Sequence, residues 1–322
     1  MAGYPLLSDI IAIYKNDDSV QALTHLLLST EKSRVRIKGL AGSAHAVIIA
    51  TVLSNASHTY LVIANDKEEA AFLYTDLMAL LPSVSIFFFP SAYRKSAQYG
   101  QTLPDAIVQR TDTLAALPAL GHEGSGKAIV VTYPDALCEK VVSQTSFEKN
   151  TVTISLSEKI SQEFLVDFLD DMGFQRVEFV YEPGHYSLRG SIVDIFSYSS
   201  YLPYRIDFFG DSVESIRSFD VDTQLSKESL ESVIIVPNLQ VEPKDETLSH
   251  FIEQLPGDTI LWIRDWEVVK GRMNEVHELA GKSDRVSSGE EFLALALEHS
   301  VVEFGIRPLL SGSQTVDFNM TP

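Results

Sequence analysis

From Val35 to Val142 short apolar runs alternate with helical stretches, and that rhythm confines this part of the chain to a parallel sheet covered by helices. Val35-Arg36-Ile37 leads through a glycine-containing turn into a helix over 44–53, and 59–64 forms a second strand. Asn65 stands as the N-cap of a helix over 66–80, with acidic residues in its first turn where the helix dipole favours them. The run 84–89 halts at Pro90, as a strand buried on both faces would, and 128–132 is another such run. Helices are expected over 106–117 and, opening on a proline, over 134–142.

Near residue 150 the pattern changes. Ile160, Phe164, Leu165, Phe168, Leu169 and Met172 share one stripe of a helix predicted over 157–172, with Gly173 as its stop. Four β-type runs follow at 176–181, 186–196, 204–209 and 213–219. Pro183-Gly184, Leu202-Pro203 and Gly210-Asp211 punctuate them, which predicts an antiparallel meander. From Ser232 the strand-helix rhythm returns, with strands at 233–236, 259–263 and 301–304 and helices over 265–280 and 288–299. The expected organisation is an α/β domain built from 1–148 and completed by 231–322, with a small α+β domain inserted at 149–230. The final stretch, 311–322, is polar and irregular and reads as the cut end of a longer protein.

Charge and cysteine usage narrow the function classes. With 44 acidic side chains against 25 basic ones and a net charge of −19, the surface repels a phosphate backbone, so direct DNA binding is not expected. Cys138 is the only cysteine; it excludes an internal disulfide and a multi-cysteine metal site, and suits a reducing, cytoplasmic setting. No run reaches the roughly 18 apolar residues of a membrane span, and no basic-then-apolar leader opens the chain. His277-Glu278 does not extend to a zinc motif, no Gly-x-Ser-x-Gly occurs, and Asp220-Val221-Asp222 fits a turn better than a cation site. Neither metal nor cofactor is expected.

Gly39-Leu40-Ala41-Gly42-Ser43-Ala44-His45-Ala46 sits between a strand and a helix, where a phosphate-binding loop belongs. A working loop reads G-x-x-x-x-G-K-[ST], its amides cradling phosphate, its lysine on the terminal phosphates and its hydroxyl on Mg²⁺. Here Ala44 replaces the second glycine, His45 the lysine and Ala46 the hydroxyl. The stretch is either a phosphate loop that has lost its chemistry or a chance strand-turn-helix, and these residues alone leave both open. Gly121-His122-Glu123-Gly124-Ser125-Gly126-Lys127-Ala128 has both glycines and the lysine, but it precedes a strand instead of opening a helix, and reads as a surface loop.

The meander carries the most specific signal. Tyr181-Glu182-Pro183-Gly184-His185-Tyr186-Ser187-Leu188-Arg189-Gly190-Ser191-Ile192-Val193-Asp194-Ile195-Phe196, Leu202–Asp211 and Ile216–Gln224 resemble the second domain shared by UvrB and the bacterial transcription-repair coupling factor Mfd. Weaker likeness covers the altered phosphate loop, Arg110-Thr111-Asp112-Thr113-Leu114 and Arg307-Pro308-Leu309-Leu310-Ser311-Gly312. UvrB keeps an intact phosphate loop and a long aromatic hairpin after the third strand. This chain has His45 and Ala46 in the loop, and about twenty residues after Pro90 leave no room for the hairpin. The resemblance therefore implies domains 1a, 2 and 1b of the Mfd module: a degenerate P-loop, helicase-like parallel-sheet domain (1a with 1b) and an inserted antiparallel α+β domain (2).

In that family the second domain captures UvrA, and its contact positions fall on Arg189, Arg205 and Phe209. Residues two apart share a strand face, so Arg205, Asp207 and Phe209 are expected to project together while Tyr204, Ile206 and Phe208 face the core. Without the resemblance, the same pattern fits an ordinary solvated strand with an Arg-Asp surface pair. The implied role is a non-catalytic module that recruits UvrA in transcription-coupled repair, its inactive nucleotide site marked by Gly39, Gly42, His45 and Ala46. The parent would be an ATP-dependent DNA translocase whose motor and C-terminal domains contact this module and mask its docking surface. The alternative is a UvrB-like damage-verifying ATPase.

Overall fold

A computed structural model describes residues 7–29, 32–55, 58–93, 104–120, 127–239, 247–281, 283–305 and 313–318. The chain divides into two compact units, one of 1–101, 116–141 and 249–322, the other of 102–115 and 142–248. In chain order the elements are α1 (Leu7–Tyr14), α2 (Asp18–Leu27), β1 (Arg34–Lys38), α3 (Ala44–Asn55), β2 (Thr59–Ile63), α4 (Lys67–Leu80), β3 (Ser85–Phe89), α5 (Pro104–Leu120), β4 (Ala128–Thr132) and α6 (Pro134–Cys138). β5 (Val141–Val142) and α7 (Gln144–Lys149) lead to β6 (Val152–Ser155), α8 (Gln162–Asp171), β7 (Gln175–Arg176), β8 (His185–Arg189), β9 (Ile192–Ile195), β10 (Tyr204–Phe209), β11 (Ser212–Phe219), β12 (Ser226–Ser229) and β13 (Ser232–Ile235). β14 (Leu248–Ser249) falls where the second unit ends and the first resumes, and β15 (Ile260–Ile263), α9 (Trp266–Leu279), α10 (Gly289–Ala296), β16 (Ser300–Glu303) and β17 (Gln314–Asp317) complete the first unit.

The first unit is built on a seven-stranded sheet in the order β17-β1-β16-β15-β2-β4-β3, parallel at every pairing. Its central strands β2, β4 and β15 are buried at every position, which is why they read as unbroken apolar runs instead of alternating ones. The chain is thus α/β, with a separate mixed-sheet unit.

In the second unit the sheet runs β12-β11-β10-β9-β8-β7, antiparallel except where β7 lies parallel to β8. Leu165 and Leu169 of α8 pack on Tyr186, Val193, Ile195, Ile206, Phe208, Val213 and Ile216 from one sheet face. Burying side chains of this size stabilises the fold by roughly 1.5–3 kcal/mol each.

Several elements depart from expectation. The run 186–196 is two strands, β8 and β9, folded at Gly190-Ser191, and the strand expected at 176–181 contributes only Gln175–Arg176. The helix expected over 157–172 begins at Gln162, because Ser157 adopts a left-handed conformation (φ 66°) and Ser161 is the cap. Asp66, not Asn65, caps α4, its carboxylate accepting from the Glu69 amide at 2.9 Å. α6 stops at Cys138, short of Val142. The strand near 233 pairs antiparallel with β6 instead of joining the parallel sheet. The final stretch, expected to be irregular, contains β17, which pairs with β1 at the sheet edge.

Candidate functional site

The predicted site residues fall in two places, the loop after β1 and the outer face of the six-stranded sheet. The loop follows β1, with Gly39 and Gly42 at φ 80° and 55°, the left-handed region that a side chain disfavours. α3 then starts at Ala44 and buries His45 and Ala46. His45 Nε2 lies 2.8 Å from Arg264 Nη1, and its Nδ1 2.8 Å from the Gly42 carbonyl. A guanidinium can only donate, so Nε2 accepts and Nδ1 carries the proton given to Gly42. Arg264 also donates from Nε to Glu69 at 2.8 Å and from Nη1 to the Phe304 carbonyl at 2.9 Å. Burial lowers the His45 pKa most; the Gly42 bond opposes that shift, and the Arg264 cation adds to it.

This network lines a cavity of about 270 Å³ bounded by Gly42, His45, Glu69, Asp76, Arg264 and Phe304 among others. Position 46 offers no hydroxyl, the Arg264 cation is committed to protein groups, and Glu69 and Asp76 oppose a polyphosphate. The sequence reading found the loop but not Arg264 or Glu69, which lie 195 residues apart. The available signals were weak: an arginine directly after an apolar strand, and a glutamate in a helix's first turn.

On the second unit, the alternation along β10 holds in detail: Ile206 and Phe208 are buried, Asp207 is half-buried, and Phe209 is 79% exposed. The pairing with β11 shifts between Asp207 and Phe208, where Glu214 is the extra residue, and Phe209 stands opposite Ser212 beside the Gly210-Asp211 turn. Arg205 is on the expected face but does not project. Its side chain is 15% exposed, fixed by Nε and Nη2 to the two carboxylate oxygens of Asp194 at 2.7 and 2.9 Å, and by Nη1 to the Gln224 carbonyl at 3.1 Å. Its guanidinium carbon also sits 4.4 Å from the centre of the Phe219 ring. The Asp194 bond, followed by burial working the other way, raises the Arg205 pKa.

Arg189 donates to the same carboxylate and is 41% exposed. Asp207 accepts from Ser191 Oγ at 2.9 Å. The four predicted residues therefore fall into two groups. Arg189 and Arg205 gather around Asp194, while Asp207 and Phe209 lie toward the turn, Phe209 about 13 Å along the strand from Arg205 at the usual rise. Asp194, 1% exposed, is the residue left out of that prediction; its signal was an aspartate between the core-facing Val193 and Ile195, on the same sheet face as Arg205.

The remaining motifs have structural roles. Lys127 donates to the Leu53 and Ser54 carbonyls at 2.8 and 3.0 Å at the end of α3, while 121–126 of its glycine-rich stretch lie outside the described residues, as does the 306–312 segment. Cys138 is buried, which pushes its thiol pKa up. His277 bonds the Val286 carbonyl at 2.8 Å, and Asp220 accepts from the Asp222 and Thr223 amides in a turn. Among the described residues, no cluster of three His, Cys, Asp or Glu could hold a metal ion, and no helix is long and apolar enough to cross a membrane.

Residues 152–240, which carry this sheet, match the UvrB interaction domain family. The chain is also similar to transcription-repair-coupling factors: 32% identical over 205 residues to that of Rickettsia bellii, covering 63% of this chain and 18% of the relative. To the Bacillus subtilis protein it is 25% identical over 285 residues, 88% of this chain and 24% of the relative. To that of Staphylococcus aureus it is 28% identical over 246 residues, 76% and 20% respectively. The chain spans less than a quarter of the length of each of these relatives. Residues 152–240 thus match a UvrB interaction domain, within a chain that is similar to part of the transcription-repair-coupling factors.

Proposed function

We propose that this chain is a non-catalytic docking module that recruits UvrA, through its inserted domain, to sites of transcription-coupled repair. The observation that carries the proposal is Phe209, a 79% exposed aromatic on the outer face of a UvrB interaction domain that also presents Arg189. Exposed aromatics and arginines anchor protein interfaces because they bring large area and directed hydrogen bonds at a few positions. Domain 2 at 149–230 is the docking part, and 1–148 with 231–322 the α/β frame. What supports a non-catalytic frame is the altered loop: His45 and Ala46 replace the lysine and hydroxyl that phosphate transfer needs, and Arg264 is occupied by Glu69. In a longer parent, this face would be covered until needed.

Immobilised chain should retain UvrA from solution, and Phe209→Ala should weaken retention by at least about tenfold, the scale of a buried interface anchor. Retention by Phe209→Ala equal to that of the unaltered chain would remove the proposed surface.

A further inference from the structure

We infer that Asp194 and Phe179 are positioning residues that fix the Arg189 guanidinium for partner contact, an inference that rests on the docking reading above. Three observations carry it. First, Asp194 is buried to 1% exposure in the middle of the sheet, and its two oxygens are taken by two arginines at once. A buried carboxylate is stable only while fully compensated, so it holds both cations in place. Second, the two arginines are not equivalent. Arg205 is spent on Asp194, the Gln224 carbonyl and the Phe219 ring, whereas Arg189 keeps 41% of its side chain open.

Third, Arg189 also has an aromatic neighbour. Its guanidinium carbon lies 5.5 Å from the centre of the Phe179 ring, within range of a cation–π contact. Phe179 is itself 39% exposed, and the Tyr181 ring, 59% exposed, lies 6.5 Å from it. The segment carrying them is tied to β8 by Ser187 Oγ, which donates to the Glu178 carbonyl at 3.0 Å. Arg189 is thereby tied to both a buried carboxylate and a ring, while 41% of its side chain stays open to solvent. A side chain ordered before binding loses less freedom when a partner arrives. The matching surface on UvrA is an oxygen acceptor, a carboxylate or exposed carbonyl, bordered by apolar side chains that cover Phe179 and Tyr181. Arg205 then acts through Asp194, by keeping that carboxylate compensated.

Affinity for UvrA measured on the 322-residue chain tests this by double-mutant cycles. Arg189→Ala should weaken binding about tenfold, and Asp194→Asn and Phe179→Ala each severalfold. In the Arg189→Ala background, neither second change should weaken binding by more than about twofold, because each acts only through Arg189. With Phe209→Ala both should be additive, which a general loss of structure would not distinguish from Arg189. If Asp194→Asn does not fold, the Phe179–Arg189 cycle decides alone, since the Phe179 ring is exposed. Additive losses with Arg189→Ala, or none from Phe179→Ala, overturn the inference while the docking reading stands. If Phe209→Ala and Arg189→Ala both leave affinity unchanged, the docking reading itself falls, and the inference with it.

Discussion

His45 and Arg264 share a hydrogen bond that only a neutral imidazole can accept, so the fold disfavours protonation at this position. The same direction holds for His250 and His299, whose pKa values burial also lowers from 6.5. A histidine with a lowered folded value binds more protons unfolded, so its contribution is intact above 6.5 and is lost as pH falls below it. Thermal stability should therefore decline between about pH 7 and 5, by at most about 1.4 kcal/mol per pH unit for each such histidine. His45→Gln accepts and donates as the neutral ring does without titrating, and should flatten part of that decline in a melting series. An unchanged slope would show that His45 is not held neutral.

At the scale of elements, the approach of β16 to the start of α9 decides where Arg264 points. Gly305 sits against this crossing: a Cβ there would overlap the Arg264 carbonyl oxygen and stand 2.8 Å from Asp265 Cα. Backbone cannot yield as a flexible side chain can, so Gly305→Ala should destabilise the chain by about 1–3 kcal/mol in denaturant unfolding. A midpoint equal to that of the unaltered chain would mean that the two segments separate freely. The sequence announces elements better than their partners. β2 and β4 were legible because strands covered on both faces leave no polar residue to confuse the pattern. β17, Gln-Thr-Val-Asp, was not, because its order comes from pairing with β1 at a sheet edge and not from burial. β13 was seen as a strand, but four residues cannot say which sheet they join. Phe209 followed from simple alternation along β10, whereas the lock that holds Arg205 against the outer face depends on Asp194, a partner eleven residues away across the β9–β10 pairing.

For the whole molecule, the two units differ in what they offer a ligand. The α/β unit keeps the strand-loop-helix frame of a nucleotide site, yet its cavity holds a neutral imidazole, a committed guanidinium and the carboxylates of Glu69 and Asp76. The second unit exposes an aromatic and a half-open arginine on a chain of net charge −19. A local basic contact on an acidic background favours a defined protein patch over a polyanion, and should weaken with salt less than nucleic-acid binding does. Paired calorimetric titrations of the 322-residue chain, one with UvrA and one with Mg-ATP, test this division most directly. The account predicts a saturable isotherm with UvrA and no heat of binding with Mg-ATP; micromolar Mg-ATP binding together with no UvrA binding would contradict it.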